Sequence, residues 1–598
     1  MVRGVLCGAV LFAATGPACA LDSLSFVAGG DGTEIDKALR ASSLLVQARD
    51  EKQDDAQSLF AAARADYGRL LGTLYSQGYY SGVIRIAIDG REAASIAPLD
   101  APSVIKNIAV SVDPGPLFRF GKARMKPYAK GTKLPRTYRD TEPAYSTAIV
   151  DAASAGVEGW RNIGHAKARL AGQTITADHR ARTVDAQILL EPGPRVRFGR
   201  MSVSGHERMV PERIAKIAGF PTGEVFDPAE LDRVATRLRR TGVFRSVALN
   251  EADALGPNDT LDVELVLAEE ALRRFGVGAE ISSTEGLNLS GYWLHRNLFG
   301  GAERLRVDAA IERIGGQSGV LGYELGARIE RPGTPVTDAT AFLEARAART
   351  EIVDLAVDTV ELSFGLTRYF GDRLFAEAGI SYVSAKATDI SGTYKFDLIA
   401  LPVSLTWDGR DNKLDARKGY YLKADITPFY GLGTTGSGGQ FKTDARAYRS
   451  FGADDRFTFA GRLQLGTTVG SALAQTPPDF LFYSGGGGTV RGQPFQSLGV
   501  SLARGGGVTV QSGGLSFAGL SGEFRTIFTE TLGGVAFYDA GYVSDGEAFG
   551  GNGAWHAGAG LGLRYNTGIG PIRFDVGLPV SGTTGDGPQI YVGIGQSF

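Results

Sequence analysis

From residue 271 to its end the chain alternates between apolar positions and polar or glycine positions. Over Leu321–Glu330, one face holds Leu321, Tyr323, Leu325, Ala327 and Ile329, and the other holds Gly322, Glu324, Gly326, Arg328 and Glu330. Over Phe457–Gly466, Phe457, Phe459, Leu463 and Leu465 stand against Thr458, Arg462 and Gln464. A period of two is the period of a strand, whose successive side chains point to opposite faces. A soluble sandwich alternates too, but it needs a polar solvent face rather than glycine-rich strands with charges throughout. A wall with lipid outside and a wet lumen inside fits better. At about 20 residues per strand and connection, residues 271–598 predict an antiparallel β-barrel of about 16 strands. No run of 18 apolar residues follows residue 20, so no spanning helix is expected, and a closed barrel is the remaining way across a bilayer. The 83 glycines among 598 residues are about twice the usual share and carry no G-X-Y period.

The first half carries a repeat instead. Asp113-Pro114-Gly115-Pro116 leads into Arg119-Phe120-Gly121, and Glu191-Pro192-Gly193-Pro194 leads into Arg197-Phe198-Gly199. Arg274-Phe275-Gly276 follows the acidic pair Glu269-Glu270. A second marker runs in step, at Gly78-Tyr79-Tyr80, Gly164-His165-Ala166 and Gly242-Val243-Phe244. Equal spacing of short motifs signals tandem modules. In the third, Met201–Ser204 reads as a strand and Pro211–Ala218 as a helix. Asp227, Pro228 and Glu230 open a further helix with its stripe at Leu231, Val234 and Leu238. Gly242 stops that helix, and Val243–Leu249 and Leu261–Leu267 follow as strands. The organisation expected is a signal peptide at 1–20, α+β modules at 21–115, 116–194 and 195–270, and the barrel at 271–598.

The signal peptide rests on Arg3, the apolar run Val5–Ala14 and the small residues Ala18-Cys19-Ala20. A lipoprotein signal is disfavoured, because Gly16 stands where leucine is usual. Cys7 and Cys19 are the only cysteines, which excludes a disulfide scaffold or a cysteine-ligated metal. The net charge of −2 argues against nucleic-acid binding. There is no G-x-S-x-G motif, P-loop or H-E-x-x-H pair, so no enzyme and no cofactor is expected.

One constellation stands out in the barrel. Ser484–Phe495 is a glycine-rich stretch with a single arginine, Arg491. Glu523 and Asp539 lie on consecutive strands. A hairpin turning near Thr531 would pair Phe528 with Gly534, and therefore Glu523 with Asp539. Two facing carboxylates repel unless a cation sits between them. Arg491 suits that place, because guanidinium binds carboxylates bidentately.

Jointly these residues resemble the BamA/TamA superfamily of outer-membrane protein insertases. Val490-Arg491-Gly492 resembles the family's inward-folded loop, with Phe495 as a candidate for the aromatic that usually follows, where Gln493 stands here. Glu523, Arg525, Phe537, Asp539 and Gly541 resemble its partners on the barrel wall. Arg296–Gly300, Asp408–Asn412 with Gly419-Tyr420, and the terminal Tyr591–Phe598 resemble further barrel signatures. The resemblance implies periplasmic POTRA modules and a barrel in the outer membrane of a Gram-negative bacterium, and three modules look like the TamA branch. It also implies an inner-membrane-anchored TamB-like partner, unfolded barrel or autotransporter clients, and contact with outer-membrane lipid. A lateral seam is expected between the first strand, near Gly276 and Gly278, and the last, near Gly593, Gly595 and Phe598. The Arg491 loop is expected to brace the opposite wall. The alternative is a passive channel or a two-partner secretion pore.

Overall fold

The computed structural model describes residues 21–29, 33–51, 55–282, 286–316, 321–352, 355–504, 507–568, 570–585 and 587–598. The expected signal peptide, residues 1–20, lies outside the described residues.

Three small sheets precede the barrel. The first runs in the order Ser23–Ala28, Asn107–Asp113, Val83–Ile88, Arg91–Glu92, and the second in the order Arg119–Lys126, Thr183–Glu191, Arg169–Asp178. The third has Thr260–Glu269 between Arg197–Ser204 and Phe244–Glu251. Contacts divide the chain into two compact units. One ends at Arg200 and adds Pro221–Leu231 and Glu251–Val263; the other comprises Met201–Phe220, Asp232–Asn250 and Glu264–Phe598.

In the first unit, the helix Ala56–Ser76 buries Leu59, Leu70 and Leu74 in one core with Ile86, Ile108 and Val110. The helix Ser146–Arg161 buries Ile149 and Ala152 in a second core with Val184 and Ile188. The repeat has a physical basis here. The Arg119 guanidinium donates to the Thr141 carbonyl and Arg197 to that of Gly223, each at 2.8 Å. The N–H groups of the buried Phe120 and Phe198 donate to Glu142 and Glu224 at 2.9 Å. The next residue is glycine in both copies because a Cβ would run into the Asp185 or Asp262 carboxylate. The third copy departs from this pattern. Arg274-Phe275-Gly276 lies on the first barrel strand, Arg273–Ser282, with Phe275 exposed.

The helix Pro228–Arg240, which begins in the first unit and ends in the second, follows Asp227, whose carboxylate accepts the Ala229 N–H at 2.9 Å; in the second unit the helix Pro211–Ala218 has the expected bounds. Ile214, Ile217, Val234, Leu238 and Leu265 form an apolar core that includes Ala302 of a barrel turn. Arg237 grips Asp338 bidentately at 2.7 and 3.0 Å, and this hydrogen bonding holds the Asp338 carboxyl below its ordinary range. The Asn297 amide donates to the Arg208 carbonyl at 3.3 Å. The strand Thr260–Glu269 reaches the barrel strand Arg273–Ser282 through three residues. That link is pinned: Glu270 N–H donates to Val243, and Arg296 donates to Ala271 and Leu272.

The barrel is closed and antiparallel, as the alternation requires. Gly392–Ala400 and Val403–Asp408 both pair with Leu374–Asp389 on one side and Gly419–Leu432 on the other. They are one strand interrupted at Leu401-Pro402, where proline has no N–H to give the ladder. The described residues therefore form sixteen strands. Tyr323, Leu325, Phe459 and Leu463 face outward, toward lipid. Arg328 turns inward and binds Glu330, Glu344 and Glu377 at 2.9, 2.7 and 2.7 Å.

Gly199→Ala forces a methyl group against Asp262 and is expected to cost about 1–3 kcal/mol, in the range of other overpacking changes. Calorimetry of the full chain should show the transition of the modules lowered by several degrees and that of the barrel unmoved.

Candidate functional site

The strands Phe457–Val469 and Ser516–Ile527 are neighbours in the wall, yet residues 470–515 join them. This connection is cross-tied at two levels. Phe482 and Gly514 exchange backbone hydrogen bonds at 2.9 and 2.8 Å, and Ser484 and Leu498 do so at 3.0 and 2.9 Å. The intervening loop reaches the inner wall, where Val490, Arg491, Gly492 and Gln493 are all buried. The wall is shaped to receive it. A Cβ on Gly541 would run into the Ser484 hydroxyl, and one on Gly558 into the Arg491 carbonyl. Gly492 adopts φ +91°, and a Cβ there would stand 2.6 Å from the Leu578 carbonyl.

Arg491 occupies the centre. Its Nε and Nη2 donate to Asp539 at 2.7 and 3.0 Å, and its backbone N–H donates to the same carboxylate at 3.1 Å. Its Nη1 donates to Glu523 at 2.7 Å and reaches Asp575 at 3.5 Å. The guanidinium carbon lies 3.7 Å from the centre of the Phe537 ring, a cation–π contact in a desolvated place. Arg525 binds the other oxygen of Glu523 at 2.7 Å, and Arg564 binds Asp575. Three guanidinium groups thus meet three carboxylates, all buried. Coulombic attraction and a nearly complete set of hydrogen bonds offset the desolvation of the charges, and removing one member strands the others.

The expected pairing of Glu523 with Asp539 is corrected. Glu523 pairs with Phe537, and Asp539 with Ser521. The last ladder pair is Ile527 with Gly533, and Phe528 N–H closes the turn on the Leu532 carbonyl. The turn shifts the register by two residues, which preserves the face. Both carboxylates therefore still point at Arg491. Asp575 and Arg564 were missed by sequence reasoning. Their signal was the same alternation that exposed Glu523, in Arg573-Phe574-Asp575. Gln493, not Phe495, fills the place after Arg491-Gly492. Phe495 is half-buried, whereas the Gln493 amide donates to Ala557 and Ser581 at 2.9 and 3.0 Å and accepts from Thr584 at 2.9 Å.

The lock braces strands on the C-terminal side of the barrel closure, not the opposite wall. Gly492 N–H donates to the Tyr591 hydroxyl at 3.2 Å, Arg564 donates to Gln596 at 2.7 Å, and Arg525 donates to the Phe598 carbonyl at 3.1 Å. The closure differs from the expected seam. The last strand is only Gln589–Ile594, and among the described residues it pairs with the first at Ile281 with Val592 and Ser282 with Tyr591. Gly276 and Gly278 pair with the second strand instead, at Tyr292 and Ser290. Gly593 is on the last strand, but Gly595, at φ +91°, turns the chain off the wall. Phe598 ends buried against Ala416, Tyr448 and Ala460. The Asp408–Gly419 connection holds this tail, since Leu414 accepts from Gln596 N–H at 3.0 Å and the Asp415 carboxylate from the Gln596 amide at 2.9 Å.

Comparison with known proteins adds a lineage to this geometry. Residues 297–598 match the Omp85 superfamily domain. The outer membrane protein assembly factor BamA of Neisseria meningitidis is 23% identical over 452 residues, which are 67% of this chain and 56% of that protein. The chain thus spans just over half the length of that curated relative. Among solved structures, BamA from Haemophilus ducreyi lacking POTRA domains 1–3 aligns with a TM-score of 0.60 at 14% identity, covering 79% of this chain and all of that one. CdiB from Acinetobacter baumannii aligns at 0.51 with 12% identity, covering 81% and 90%.

Removing Arg491 leaves Asp539 without its main partner. Arg491→Ala is expected to cost about 3–5 kcal/mol of barrel stability, and Arg491→Lys to recover only part, because an ammonium cannot make the bidentate contact. Gln493→Leu, which abandons buried carbonyls, should cost about 1–3 kcal/mol. The temperature at which the folded barrel converts to the unfolded form on an unheated-versus-heated gel series checks all three.

Proposed function

The chain belongs to the Omp85 superfamily, and from that premise we propose that it inserts or secretes unfolded clients at the outer membrane, through the seam between its first and last barrel strands. It resides in the outer membrane of a Gram-negative bacterium, with α+β modules of POTRA type in the periplasm. The working boundaries are 21–115, 116–194 and 195–270 for the modules and 271–598 for the barrel. Three modules favour the TamA-like branch, with a TamB-like partner anchored in the inner membrane and barrel or autotransporter proteins as clients.

The observation that carries this reading is the closure. Fifteen of the strand junctions are long ladders or hairpins, such as the ten pairs between the first and second strands. Among the described residues the junction between first and last has two. Residues 273–280 of the first strand therefore lie beyond that ladder. Their backbone groups offer an edge, and an unpaired edge templates another strand. A client strand gains main-chain hydrogen bonds there without needing a fixed sequence. The exposed strand Arg169–Asp178, at the edge of the second small sheet, offers a similar surface in the periplasm. No nucleotide is needed, since client folding and apolar burial in lipid supply the drive.

A disulfide between cysteines placed at Ile281 and Val592 should abolish client-barrel insertion into liposomes, and reduction should restore it. If the oxidised protein inserts clients at the normal rate, the seam is not the route. If neither form inserts clients but both conduct ions, the passive channel stands.

A further inference from the structure

The seam also has a fastening made by side chains. Arg573 lies on the penultimate strand and pairs with Gly593 on the last. The ladder between first and last strands ends at Ile281 with Val592, so the next row in register brings Glu280 beside Gly593. Arg573, Gly593 and Glu280 thus form one row across three strands. The Arg573 guanidinium passes over the last strand and its Nη2 meets Glu280 at 2.6 Å. The middle position has no side chain, so the guanidinium crosses it closely. A Cβ on Gly593 would stand 3.1 Å from the Arg573 Nε and 3.4 Å from its Nη2.

The row faces the lumen. Arg573 is two residues from Asp575, which binds Arg491, while Ile572 and Phe574 between and beside them face lipid. Arg573 is only 11% exposed and Glu280 is 45% exposed, so one partner is fixed in the wall and the other stands at the wet margin of the free edge. The two ends belong to different bodies of the closure. Arg573 sits on the strand that carries Asp575 and is braced by the lock. Glu280 sits on the first strand, at the first row beyond its last backbone pair.

We propose that Arg573 and Glu280 form a latch that holds the seam shut between clients, with Gly593 as the slot through which it closes. The inference rests on the reading that the seam opens. Opening separates the last strand from the first and breaks this pair, and a client strand entering next to Glu280 takes the place that Gly593 leaves. A half-exposed pair of this kind contributes modestly and is screened by salt, which suits a fastening that must yield.

The test uses the full-length chain in proteoliposomes without client. Spin labels at Val277→Cys and Ile590→Cys report the width of the seam from lipid-facing positions away from the latch row, and no cysteine lies beyond Cys19 in the natural sequence. Glu280→Gln, Arg573→Gln and Gly593→Leu should each raise the fraction of long distances about two- to fivefold. Gly593→Leu does so with both charges present, by filling the slot. The reversed pair, Glu280→Arg with Arg573→Glu, should return the distribution toward the parent. Raising salt from about 0.1 to 1 M should widen the parent and leave Glu280→Gln unmoved. The latch is overturned if Glu280→Gln and Gly593→Leu keep the parent distribution, or if salt widens parent and Glu280→Gln alike. The salt arm needs no latch variant to read the parent, so a poorly folding Arg573→Gln does not decide the matter. Because these readouts involve no client, they fail or succeed separately from the disulfide experiment on client insertion.

Discussion

The centre of this barrel is a neutral cluster of six buried charges. Arg491 cannot leave water alone, and neither can Glu523, Asp539 or Asp575; each is tolerable inside because the others are there. Such a cluster favours one arrangement strongly over its neighbours, since a shift of about 1 Å breaks several charge-assisted hydrogen bonds together. The glycines of the wall follow from it. Gly541 and Gly558 are bare because the loop must come down to backbone contact for the guanidinium to reach its partners. The C-terminal tail follows too, since Arg525 and Arg564 each use a remaining donor on it.

The cluster also divides the wall mechanically. Strands on the C-terminal side are tied to the loop, to each other and to the tail by buried ion pairs. Among the described residues the first strand has no share in the cluster, and it is joined to the last by two backbone pairs and the Arg573–Glu280 contact. The barrel is therefore stiff on one side of its closure and lightly fastened on the other.

Much of this was legible in the chain. The period of two announced strands with a wet face and a lipid face, and the spaced glycine motifs announced repeated modules. Arg491, Glu523 and Asp539 were visible as a set, because opposed carboxylates inside a wall need a cation. What stayed hidden depends on distances the chain does not display. The length of the turn at Phe528–Leu532 decides the register, and nothing local distinguishes a turn two residues longer. Asp575 joins the cluster from a strand far along the chain, so only closure of the barrel brings it to Arg491. The tail read as the end of a strand because its alternation continues through Tyr591–Phe598; the bend at Gly595 is paid for by the Gln596 N–H bond to Leu414 and the packing of Phe598 on Ala416, both remote in sequence. Gln493 looked like a departure from an aromatic, yet a buried amide with three partners holds the loop as an aromatic would by packing.

One feature of the junction gives the lightly fastened strand a handle. The central strand of the third small sheet, Thr260–Glu269, runs into the first barrel strand through three residues, and those residues are clamped by Val243 and Arg296. A link so short and so tied transmits torque instead of absorbing it. Twisting the part of that sheet next to the barrel turns the strand whose residues 273–280 lie beyond its ladder with the last strand, much as a key turns a bolt. Rotation of the sheet would then reach the membrane seam directly, with no signal passing through the lumen.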